Sequence, residues 1–253
     1  MASNSMASLK RAVPGLIIIS AAVAIIFVLY EIKNIVARSL ESGGLFLLTG
    51  TLLSSNILWY QVFSFLVVLA FLLLAFLLDS KGLRSFLRIG RVNAEAHPVP
   101  LIGLKPQKGE GWRGVGLSFL IIITAVTAIV IYLQTVQGHQ IAGFPPSAVL
   151  WILIFSLMNS FNEEAVFRVG LVSVLHGRLP APAVTLTSGI IFGIAHYGGH
   201  PGGVPGVFLA GFLGWFLAKS VIETRGIFWA WTIHFAQDVV IYTGLFLTLY
   251  STS

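Results

Sequence analysis

The feature that most restricts this chain is a succession of continuous apolar runs, each close to the ~20 residues that an α-helix needs to cross a hydrocarbon core. The runs are apolar all round rather than striped, so each helix built from them faces lipid or another helix. Seven spans are expected, at 13–30, 57–78, 114–134, 147–175, 181–197, 204–222 and 227–249. Composition agrees: of 253 residues 57% are hydrophobic and 9% charged, against roughly 25% charged in an ordinary soluble domain. The expected fold is an all-α, polytopic transmembrane helical bundle without a soluble domain or an internal repeat.

The cations orient the bundle. With the N-terminus cytoplasmic, Lys10, Arg11, Lys81, Arg84, Arg88, Arg91, Lys105, Lys108, Arg113, Arg178, Lys219 and Arg225 lie inside; only Lys33 and Arg38 lie outside, and Arg168 falls within a span. The first apolar run follows Lys10 and Arg11, as in a signal peptide. It is long and lacks an A-x-A cleavage site, so an anchored helix is the reading. The segment 39–56 holds a short apolar stretch, Leu45 to Leu53, suited to the interface rather than to a crossing. The segment 79–113, with seven of the cations and Pro98, Pro100 and Pro106, reads as a basic cytoplasmic loop on anionic lipid. Two regions result: 1–146 with three spans and this loop, and 147–253 with four spans. The net charge of +6 comes with no nucleic-acid-binding signature, so nucleic acid is not an expected partner. The absence of cysteine excludes thiolate zinc sites, disulfides and a cysteine nucleophile. Together with the compact chain it points to a prokaryotic cell membrane.

Ionisable residues interrupt the last four spans: Glu163, Glu164 and Arg168, then His196, then His234 and Asp238. A charge at the centre of a bilayer costs roughly 2.5 to 3.5 kcal/mol on insertion scales, so such residues mark function by default. The alternative is a polar cluster that ties helices together. Depth favours function. At the helical rise, Glu163 lies roughly 18 Å above the inner end of its span, His196 roughly 21 Å, and His234 and Asp238 roughly 14 and 20 Å. Residues far apart in sequence therefore share one layer. Glu164 and Arg168, four apart, can form an ion pair, which leaves Glu163 as the carboxylate without a local partner. Such a group suits a general base. His234 and Asp238 are also four apart, so the carboxylate can orient the imidazole or share a ligand sphere with it. Phe192 can pack beneath His196.

The runs Glu163-Glu164-Ala165-Val166-Phe167-Arg168, Phe192-Gly193-Ile194-Ala195-His196 and His234-Phe235-Ala236-Gln237-Asp238 resemble the EExxxR, FxxxH and HxxxN/D motifs of the CAAX-protease and bacteriocin-processing (CPBP, or Abi) family. These are intramembrane endopeptidases that include the type II CAAX prenyl endopeptidases. The resemblance covers roughly residues 147–240. It implies an intramembrane endopeptidase in which Glu163 and His196 activate water. Glu164, Arg168 and Phe192 would support the site, and His234 with residue 238 would stabilise the oxyanion. Asp238 departs from the asparagine typical of the prenyl endopeptidases. An ionised Asp cannot donate to an oxyanion, so residue 238 is protonated, orients His234 or binds a metal.

A water activated directly by Glu163 and His196 needs no metal, and this glutamate mechanism is the favoured reading, since no HExxH helix is present. The alternative is a divalent metal such as zinc held by Glu163, His196 and His234. Rhomboid-like and presenilin-like signatures are missing. His200, in a Gly-rich turn, reads as a solvated histidine near the site, and His97, His139 and His176 as loop residues. Asn159 and Asn162 suit either the site or a helix contact. Gly189, Gly193, Ala210, Gly214 and Ala218 mark close helix packing, and Trp59, Tyr60, Trp112, Trp229 and Trp231 an aromatic belt. The implied substrate is a membrane protein or a lipidated peptide. Competing classes are a proton- or ion-coupled transporter and a noncatalytic immunity or binding protein on the same scaffold.

Overall fold

In hydrocarbon an apolar run can satisfy its backbone polar groups internally only as a helix. The computed structural model describes the backbone of residues 2–49, 51–138, 140–141, 145–249 and 251–252, and the side chains of 12–49, 51–138 and 145–248. Within these residues the helices are α1 (Ala2–Glu41), α2 (Leu52–Phe86), α3 (Trp112–Ile131), α4 (Pro146–Glu164), α5 (Leu171–Leu175), α6 (Ala181–Ala195), α7 (Gly203–Thr224) and α8 (Phe228–Leu249). A π-helical turn, Ala165–Gly170, joins α4 to α5, so that Pro146–Leu175 is one continuous span. A two-residue antiparallel pairing, Gln140 with Thr252 and Ile141 with Ser251, is the sole strand structure among the described residues.

Among the described residues five helical segments are long and apolar enough to cross a membrane: Ala12–Glu41, Leu52–Phe86, Trp112–Val136, Pro146–Leu175 and Gly203–Thr224. Of the rest, α6 has 15 residues and α8 is diluted by His234, Gln237 and Asp238. The outward faces carry Phe27, Leu77, Ile121 and Phe208, all exposed, an apolar surface that only lipid covers at low cost. The molecule is an all-α polytopic membrane bundle. Its main core runs through the centre of the helices, from Ile18 and Phe71 to Phe192, Phe216 and Ile233.

Local chemistry sets the element ends. Thr51 caps α2 by accepting from the Ser54 N–H at 3.2 Å. Prolines open α4 and α6, where a missing N–H costs nothing. Arg225, at φ 55°, ends α7 in the left-handed region.

The structure corrects several expectations. The first helix continues to Glu41 rather than ending near residue 30, because no Gly or Pro interrupts Tyr30–Glu41. The helix that begins at Leu52 also outruns its expected end, reaching Phe86 with a kink at Asp79 (φ −158°, ψ 79°). There the Asp79 carboxylate accepts from the Gly82 N–H at 2.8 Å and pairs with Arg178 at 2.8 Å. It thus caps the restarted helix and ties it to the segment after α5.

The basic loop is accordingly shorter than 79–113, and it does not simply rest on lipid. Its backbone docks on the α7–α8 turn: Arg91 N–H donates to Thr224 O (2.7 Å), Ile227 N–H to Arg88 O (2.8 Å), and the Trp229 indole to Val92 O (2.7 Å). These bonds satisfy groups that a helix end leaves open, while Lys81, Arg84, Arg88, Arg91, Lys105, Lys108 and Arg113 remain exposed. Trp112 and Trp229 are buried in the core, not in an interfacial belt. The Trp112 indole donates to Glu223 at 2.7 Å, and Glu223 also pairs with Lys219, which is buried rather than free.

The small residues of α6 and α7 let the two helices touch backbone to backbone. A Cβ on Gly193 would stand 2.6 Å from Val207 O, and one on Gly189 2.8 Å from Gly211 O. Gly193→Ala is therefore expected to cost about 1–3 kcal/mol by overpacking, read as a lowered thermal unfolding midpoint in micelles. An unchanged midpoint would mean that α6 and α7 are not this close.

Candidate active site

The Glu163–Glu164 pair stands at the end of α4, immediately before the π-helical turn, a kind of irregularity that recurs at functional sites. All six residues of that turn are buried. Glu164 and Arg168 are both 0% exposed and meet at 3.2 Å, Arg168 Nε to Glu164 Oε2. The guanidinium carbon of Arg168 lies 3.8 Å from the centre of the Phe192 ring, so this charge is held by one carboxylate and one aromatic face.

His196 stands at the C-terminal end of α6, where backbone carbonyls lack helical partners. Its Nδ1 donates to Phe192 O at 2.8 Å. A carbonyl can only accept, so that bond fixes the proton on Nδ1 and turns the Nε2 lone pair towards Glu163 Oε2, 3.6 Å away. His234, on α8, is fixed in the same sense by a different partner. Its Nδ1 bonds Glu164 Oε1 at 2.7 Å, and its Nε2 faces Glu163 Oε2 at 3.5 Å. Two imidazole Nε2 atoms on separate helices thus converge on one carboxylate oxygen, which has no hydrogen-bond partner among the described residues.

The pairing of His234 with Asp238 takes second place. Asp238 Oδ2 lies 3.8 Å from His234 Nε2, beyond hydrogen-bond length, and the orienting bond goes to Glu164 instead. Asp238 Oδ2 and Glu163 Oε1 each accept from Asn159 Nδ2 at 3.2 Å. Phe192 joins the parts: its ring lies 4.2 Å from that of His196, meets His234 edge-on at 5.7 Å and contacts Phe167 at 5.3 Å.

On the α1–α2 side of Glu163 is a cavity of about 20 Å³, lined by Tyr60, Gln61, Ser64, Asn159, Asn162 and Glu163 among others. That is room for about one water. Glu163 and His196 keep roughly a fifth of their side-chain surface open, whereas Glu164, Arg168, His234 and Asp238 are buried. Among the described residues no group of three His, Asp or Glu side chains is disposed to hold a metal ion.

The structure brings together Glu163, Glu164, Arg168, Phe192, His196, His234 and Asp238. His200 is exposed in the turn after α6. His97 contacts Glu223, and His176 packs edge-on against Phe86; His139 lies outside the described residues. Gln61, which bonds Asn159 at 2.8 Å, was not singled out from the sequence. Its signal was there, as an amide inside an apolar span.

No curated protein and no solved structure matches the chain. Residues 145–240 match the family described as type II CAAX prenyl endopeptidase Rce1-like, the group that the three motifs resemble, so that over this part of its length the chain is similar to membrane-embedded proteases of the CAAX type.

Proposed function

We propose that the protein, in a prokaryotic cell membrane, hydrolyses a peptide bond of a membrane-associated substrate by water activation on Glu163 and His196, without a metal. The observation that carries this reading is the convergence of His196 Nε2 and His234 Nε2 on Glu163 Oε2, at 3.6 and 3.5 Å. The three atoms are close enough together for one water lying beside them to reach Glu163 and His196 at once. A water held there donates one proton to Glu163 and the other to the lone pair of His196 Nε2. As its oxygen attacks the scissile carbonyl, Glu163 takes the proton as general base. The carbonyl oxygen becomes an oxyanion beside His234, which in its imidazolium form donates from Nε2. The C–N bond then breaks, and Glu163 returns its proton to the leaving nitrogen.

Glu164 and Arg168 act through His234. The carboxylate bonded to Nδ1 directs Nε2 into the site, and Arg168 balances that carboxylate. Asp238 flanks His234 Nε2 rather than the oxyanion.

The test uses purified protein in phospholipid vesicles with two internally quenched peptides, one ending in a farnesylated CaaX tail and one identical but unprenylated. Cleavage is expected at a single internal bond of the prenylated peptide, undiminished by EDTA or 1,10-phenanthroline. No cleavage of either peptide would overturn the proposed activity. Loss of cleavage on chelation, restored by zinc, would overturn its metal-free form.

A further inference from the structure

Two carboxylates, Glu163 and Asp238, meet on one side-chain amide at the centre of the site. We infer that Asn159 and Gln61 are positioning residues that hold these two carboxylates together and in register with the histidines. The inference rests on the proposed hydrolytic reading of the site.

The geometry is specific. Asn159 Nδ2 has two N–H groups and lies 3.2 Å from both Glu163 Oε1 and Asp238 Oδ2. One amide nitrogen can therefore serve both acceptors. Its own carbonyl, Oδ1, accepts from Gln61 Nε2 at 2.8 Å, which prevents the amide from turning over and presenting oxygen to two carboxylates. Gln61 is held in turn. Its Nε2 lies 3.1 Å from the Tyr242 hydroxyl, and its Oε1 accepts from Asn162 Nδ2 at 3.1 Å. At 1% exposure Gln61 is shielded from bulk solvent, and in such an interior hydrogen bonds are electrostatically stronger than in water. Gln61 belongs to α2, outside residues 145–240. The N-terminal helices thus supply part of the site's alignment. Glu163 Oε1 is occupied by this bond, which leaves Oε2 as the oxygen that faces the two histidines.

The experiment is a double-substitution cycle with the vesicle assay and the farnesylated peptide, accompanied by thermal unfolding. Asn159→Leu is expected to lower kcat about 100-fold with KM changed less than about twofold, as for misplacement of a reacting group. In the Asp238→Asn background the same change is expected to lower kcat less than about fivefold, because the second carboxylate that Asn159 holds beside Glu163 is then absent. The unfolding midpoints should show coupling of the same sign, independently of any substrate. Gln61→Met, which touches neither carboxylate, is expected to lower kcat about tenfold at unchanged KM, and it serves if Asn159→Leu does not fold. Equal effects of Asn159→Leu in both backgrounds, or wild-type kcat in Gln61→Met, would overturn the inference. Cleavage that persists in Glu163→Gln would instead overturn the assignment of Glu163 as the base, and the inference with it.

Discussion

Glu163→Gln is expected to lower kcat by about 10⁴-fold while KM changes by less than about twofold, the upper range for removal of a general base. The substitution is nearly isosteric. The amide keeps an oxygen for the Asn159 bond and the same packing in the cavity wall, and loses only the capacity to take a proton. His196→Ala is expected to cost less, about 10²-fold, because the carboxylate remains and a second imidazole still faces it. Initial rates on the farnesylated peptide, with the unfolding midpoint as a folding control, decide the matter. Activity within tenfold of wild type in Glu163→Gln would remove this residue from the reaction.

Arg168→Met is expected to have the largest effect on stability. Arg168 and Glu164 are fully buried, and Glu164 meets both Arg168 and His234. Taking away the guanidinium leaves an uncompensated carboxylate in the core, a loss of about 3–5 kcal/mol, and also removes a cation from the face of Phe192. A fall of about 10 °C in the unfolding midpoint, or loss of the monodisperse protein, is the expected outcome. Adding Glu164→Gln should recover part of it, since the orphaned charge goes with it. A single variant as stable as wild type would show that the pair carries no such energy.

The span positions were legible because lipid imposes one length and one composition on a crossing helix, and runs such as 147–175 and 204–222 satisfy both. The docking of the basic loop was not legible. It depends on backbone bonds between residues 88–92 and 224–227 and on indoles at 112 and 229, and tryptophan near a span end has the same pattern whether it faces lipid or core. At the site, helical spacing identified the Glu164–Arg168 pair within one helix. Spacing could not show that His234 bonds Glu164 on another helix, or that Gln61 braces Asn159, because such partners are chosen in three dimensions.

The Glu164–Arg168 pair also bears on biosynthesis. The span that contains it, Pro146–Leu175, has a mean hydropathy of 1.2 over an 18-residue window, the lowest of the five long spans, and it is made before α6, α7 and α8 exist to accept its polar groups. A charge pair confined to one helix forms without waiting for any later segment. The emerging chain can thus present this span to the lipid with one of its two carboxylates already neutralised, and the partners that build the site arrive afterwards.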